Sequence, residues 1–149
     1  MLTLGRLSRA AAMFLLWGCM AEQDYSRSVR LAVEYRDREA VRAAVAARRG
    51  LEDRNEIGAT PLLTAVGSNQ YVIAEILVDG GADIWAVSDF GVAVGHLIQV
   101  GALPPGGPEG DARQRVIAKL TARGYPFPPP PQEEVRRLVA EGRWPPRAG

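Results

Sequence analysis

The sequence predicts an all-α protein built from about three helix pairs that recur at a fixed interval and end in a capping helix. Three observations carry that prediction. The stretch Gly58-Ala59-Thr60-Pro61-Leu62-Leu63-Thr64-Ala65 opens a helix: Thr60 has the hydroxyl of an N-cap, and Pro61 falls at the first helical position, where its missing N–H is not needed. The stretch Ile76-Leu77-Val78-Asp79-Gly80-Gly81-Ala82-Asp83 closes another, because Gly80 or Gly81 can take the left-handed conformation that helix ends favour. A second helix fits between them from about Gln70 to Asp79, with Tyr71, Ile73, Ala74, Ile76 and Leu77 at helical spacing. The pattern then restarts, since Gly91 stands one full unit after Gly58 and a further apolar helix follows it.

A 33-residue helix–turn–helix unit led by a glycine loop and carrying Thr-Pro-Leu and Gly-Ala-Asp resembles the ankyrin repeat. In that register Ala32 lies one unit before Ala65, and Ala93-Val94-Gly95-His96-Leu97 stands where Thr60-Pro61-Leu62-Leu63-Thr64 stood. The resemblance spans roughly residues 24–126 and is closest in the second repeat. It implies an ankyrin-repeat solenoid, which binds other proteins through loop tips and a concave face and needs no cofactor.

Ahead of the repeats, residues 1–21 read as an export signal: Arg6 and Arg9 form a basic start, and Ala10 to Trp17 is an apolar run too short to span a bilayer. Leu16-Trp17-Gly18-Cys19 resembles a bacterial lipobox, which implies acylation of Cys19, the only cysteine; Trp17 departs from the small residue usual there. Cleavage after Ala21 and an apolar helix packed on the repeats stay open as alternatives. With Arg6 and Arg9 removed, 16 basic residues face 17 acidic ones, so bulk charge courts neither nucleic acid nor an acidic membrane. The chain is therefore expected to be exported and periplasmic, to touch a membrane only through a lipid on Cys19, and to be a monomer.

From Asp24 to Gly50 two helices are expected. Ser26 or Ser28 caps the first, with Val29, Leu31, Ala32 and Tyr35 as its apolar residues; Asp37 caps the second, with Ala40, Val41, Ala44 and Val45. The arginines at 36, 38, 42, 48 and 49 are interleaved with acids, so pairs such as Glu34–Arg38 and Glu39–Arg42 describe a solvated face rather than a phosphate-binding one. Leu51 to Ile57 and Ile84 to Phe90 form the loops between repeats, the first charged and the second apolar and aromatic. Trp85 either projects into a partner or folds inward over a helix end, whereas Phe90 is expected to be exposed for binding. His96, the only histidine, takes the place where the family's imidazole bonds backbone across neighbouring loops, a structural role.

Gly95 in place of the repeat's leucine lowers helix propensity, so the helix that carries it is expected to be the softest. A Pro/Gly-rich insertion at 101–110 follows; Leu103 to Gly110 is read as irregular, with Asp111 capping the next helix and Gly124 ending it. Residues 127–149 supply an extended Pro-rich connector, a capping helix from Gln132 to Glu141 with Val135, Leu138 and Val139 on its apolar side, Trp144 tucked under Pro145-Pro146, and a loose tail.

No constellation of acid, base, nucleophile or metal ligands converges, so the chain is not expected to be an enzyme. Positions that face the groove in the family map here to Glu56, Ile57, Ala59, Ser68, Asn69, Trp85, Asp89, Phe90 and Val92. The functions this implies are recognition of a partner protein as an immunity protein or inhibitor of a secreted toxic enzyme or, alternatively, as a scaffold in envelope assembly.

Overall fold

The computed structural model describes residues 28–146; Cys19, the rest of the expected export signal and the last residues of the tail lie outside them. Seven helices make up the described chain: α1 (Val29–Glu34), α2 (Arg38–Ala46), α3 (Pro61–Gly67), α4 (Tyr71–Asp79), α5 (Val94–Val100), α6 (Gly107–Ala122) and α7 (Gln132–Ala140). The only extended pairing among the described residues is an isolated antiparallel bridge between Val87 and Ala93. No described helix is long and apolar enough to cross a membrane.

Short polar side chains start the first three helices as expected. Ser28 accepts from the Leu31 N–H, Asp37 from Ala40 N–H and Thr60 from Leu63 N–H. The next helix has no such side chain of its own. Glu109 of α6 reaches across instead, its Oε2 accepting the Val72 N–H at 2.9 Å while its Oε1 holds Arg38 at 3.0 Å. One carboxylate thus serves the positive end of α4 and ties α2 to the third layer.

The helices are arranged in two ranks. α1, α3 and α5 pack side by side, α2, α4 and α6 do the same, and α1–α2 and α3–α4 form pairs between the ranks. Burial follows the repeat spacing: Val29 and Leu62 are buried and so is Gly95, as are Ala32, Ala65 and Ile98. In the outer rank Ala44, Leu77 and Leu120 are all fully buried, the last displaced by the insertion. Left-handed residues recur in the same register, with Gly58 and Gly91 in the loops and Arg36 and Asn69 after α1 and α3. Periodic burial and periodic turns have one cause: each helix pair has an apolar face too large for its own two helices to cover, so the next pair must cover it.

Several local expectations give way to packing. Tyr35 is the C-cap of α1 and 63% exposed, so it is not part of the apolar stripe. Glu34 pairs with Arg30 and Arg38 with Glu109, although Arg42 does meet Glu39. The end of the insertion is helical: α6 begins at Gly107 with Pro108 in its first turn and Glu109 at its positive end, so Asp111 is inside the helix and not its cap. Gly110 is buried where the helix runs close against the Pro104 carbonyl, an approach a side chain would obstruct. The extended connector packs as a strap, with Tyr125 just ahead of it buried and Phe127 lying against the core. On α7, Val135 and Leu138 face inward but Val139 is 46% exposed.

The longest helix contact joins α4 to α6 and is edged by charge. Arg115 grips Glu75 with two parallel hydrogen bonds of 2.8 and 2.9 Å, and Lys119 bridges Glu75 and Asp79 at 2.9 and 2.7 Å. The Arg115 hydrogen bonds, reinforced by Lys119, hold the Glu75 carboxyl down at about 2 against burial, which acts the other way. A lowered folded pKa contributes stability above the ordinary value of 4.5 and loses it as pH falls toward 2. Solvent screening of the two cations limits the contribution to about 1–2 kcal/mol. Urea titrations at pH 6 and pH 2 should therefore show a pH-dependent loss of that size that is absent in Glu75→Gln. An equal loss in the variant would assign the acid sensitivity elsewhere.

Candidate binding groove

The loops between helix pairs are held by one another before they can hold anything else. Asn55 Oδ1 accepts from the N–H groups of Ile57 and Ala59, and in the next loop, at the equivalent position, Ser88 Oγ accepts from the Val92 N–H. Backbone bonds repeat likewise: Asn55 N–H to Ala59 carbonyl, and Ser88 N–H to Val92 carbonyl. Arg54 then joins the two loops, donating to the carbonyls of Gly58 at 2.6 Å and Val87 at 2.7 Å. Asp89 N–H closes on the Ile57 carbonyl at 3.1 Å, and Glu52 accepts from the Asp83 N–H at 2.7 Å. Burial raises the Glu52 carboxyl pKa, partly opposed by that same hydrogen bond.

These fixed loops and the inner helices enclose an apolar groove of about 280 Å³. Leu63 and Thr64 of α3 and Leu97 of α5 form its floor, with Gly67 and Ser68 at one end. Ile57, Ala59, Phe90 and Val92 line it from the two loops, together with Asn55 and Ser88. Ile57 is 50% exposed and Phe90 60%, an unusual amount of apolar surface to leave at the mouth of a rigid site.

Five expected site residues meet in this groove: Ile57, Ala59, Ser68, Phe90 and Val92. Ala59 is almost fully buried and contributes wall rather than contact area. Glu56 and Asp89 stand exposed beside it, Glu56 with Arg30 at 3.8 Å and Asp89 lying against Gly58. Asn69 does not line the groove. It adopts φ 55° in the turn after α3, and its carboxamide oxygen is buried on the side facing Gly101.

Trp85 takes the inward orientation. Its ring stacks on Tyr125 at 4.8 Å with a 23° tilt, Trp144 meets it edge-on at 5.6 Å, and Trp144 Nε1 donates to the Trp85 carbonyl at 2.8 Å. The strap after α6 brings these rings over the loop, and three large flat surfaces gain more by covering one another than by facing water. Trp144, expected beneath its neighbouring prolines, also packs on Trp85. His96 makes no hydrogen bond among the described residues; Arg54 supplies the side-chain bond between the neighbouring loops, and Gln132 at the start of α7 donates from Nε2 to the Phe90 carbonyl at 2.8 Å.

The sequence reading missed Arg54, Asn55, Ser88, Thr64 and Leu97. The repeat register held a signal for four of them, because Asn55 pairs with Ser88 and Thr64 with Leu97 at that interval. No protein-family model, curated protein or solved structure matches the chain.

Proposed function

We propose that this chain is an exported, non-catalytic protein-binding module of the ankyrin-repeat type, which seats part of a partner protein in the groove between Ile57 and Phe90. The reading of the fold is supported by helix pairs packed in two ranks, with burial and left-handed turns recurring once per repeat. The reading of the site is carried by one observation: an apolar groove stays open although the loops around it are pinned by Arg54, Asn55 and Ser88. A surface organised before binding loses little conformational freedom when a partner arrives. Among the roles open to such a module, blocking a secreted toxic enzyme is preferred to scaffolding.

Both mouth residues are half-exposed, so Ile57→Ala/Phe90→Ala should leave helix content and melting temperature nearly unchanged. Affinity capture from envelope extract should recover a partner with the parent chain and lose it at least tenfold with the double variant. Equal recovery of that partner by both would remove the groove from the interaction. A captured enzyme whose activity survives a stoichiometric excess of the chain would replace inhibition by scaffolding.

A further inference from the structure

Two adjacent loop tips present the same pair of chemistries. Glu56-Ile57 and Asp89-Phe90 occupy equivalent positions in consecutive repeats, and the Asp89 N–H bonds the Ile57 carbonyl, so the pairs lie side by side. In each pair an exposed carboxylate residue directly precedes an exposed apolar residue that lines the groove. We infer that the groove takes a polypeptide segment with one large apolar anchor and an arginine or lysine within about three residues of it. This rests on the proposed binding role and adds the sign of the partner's charge.

The carboxylates are poorly neutralised by the protein itself. Asp89 has no cationic group within 4.0 Å among the described residues, and the Glu56 side chain, 85% exposed, has only Arg30 at 3.8 Å. Arg30 is already closer to Glu34, at 3.1 Å. The other nearby cations are committed: Arg54 points at the Gly58 and Val87 carbonyls, and Arg136, which crosses Gly91, pairs with Glu133. Outward-facing charge at the tips is therefore negative, which repels phosphates and anionic lipid and favours a basic peptide. At about 280 Å³ the groove is at or below the range of sites that enclose a drug-sized molecule, and it opens between two exposed apolar side chains. That size suits one anchoring side chain. The anchor supplies most of the affinity, and the rim carboxylates supply selectivity and salt dependence.

The test needs no natural partner. Random twelve-residue peptides displayed on phage are selected on the immobilised full chain, and enriched sequences are synthesised and measured by fluorescence anisotropy. Expected is a consensus with an aromatic or branched apolar residue and Arg or Lys within three positions. Its dissociation constant should weaken about tenfold or more in Glu56→Gln/Asp89→Asn, and also between 50 and 300 mM salt by the screening of exposed charges. It should weaken as much in Ile57→Ala/Phe90→Ala. Peptides that lose affinity only in the apolar variant would overturn the charge inference and leave the groove standing. Peptides indifferent to both variants would overturn both, and so would a selection that enriches no sequence.

Discussion

Leu77→Ala is expected to lower the unfolding free energy by about 2–5 kcal/mol, the range for deleting a large buried aliphatic side chain. Leu77 is fully buried in the middle of the outer rank, on the helix that packs against α2 on one side and α6 on the other. Its register equivalents are Ala44 and Leu120, both also fully buried. Position 77 has a packed helix on each flank, and the shortened side chain would leave both partly unsupported. A domain of this size has a margin of roughly 5–15 kcal/mol, so the variant should melt on the order of ten degrees or more below the parent. Urea unfolding should show a lower midpoint with an unchanged slope. A loss under about 1 kcal/mol would mean that the outer rank carries less of the core than its burial indicates.

Gly95→Ala should destabilise the protein by about 1–3 kcal/mol, although alanine is the better helix former by about 1 kcal/mol. A Cβ at this position would lie 2.6 Å from a Tyr125 ring carbon, 2.8 Å from Pro129 Cβ and 3.0 Å from the Tyr125 hydroxyl. The ring has nowhere to retreat, because it is stacked on Trp85 and its hydroxyl accepts the Gly95 N–H at 3.1 Å. That hydrogen bond takes the place of an N-cap: Ala93 stands where Thr60 caps α3, and Tyr125 supplies the missing acceptor from far downstream. Gly67→Ala is the matched control. A Cβ there meets only the Leu97 methyl groups at 3.8 and 3.9 Å, so that variant should be neutral or slightly stabilised. Melting curves and tryptophan emission, which reports the stack on Trp85, separate the two. A stabilised Gly95→Ala would show that the strap yields easily.

The same glycine marks how far the sequence can be read. Helix starts at Ser28, Asp37 and Thr60 and the groove walls at Ile57 and Phe90 are legible because capping and register act over a few residues or a fixed interval. Gly95 reads as a weakness because its compensation lies on a segment whose path local rules do not give. Trp85 is ambiguous in sequence for the same reason, since its orientation depends on Tyr125 and Trp144 arriving from the far end of the chain. Pro and Gly density suggests an irregular insertion, yet Pro108 and Glu109 suit a first helical turn, and Glu109 acquires its value only once α4 and α2 are beside it. Local signals reach as far as one repeat. The contacts that close over α5 are non-local.

The hydroxyl on the Gly95 N–H also sets an order of events during translation. Ribosomes add roughly 5–20 residues per second, so α5 is made about 1.5–6 s before the tyrosine that completes its first turn. For that interval the nascent chain holds the Ile57 side of the groove finished and the Phe90 side unfinished, and the two N-terminal helix pairs are the template on which α5 settles.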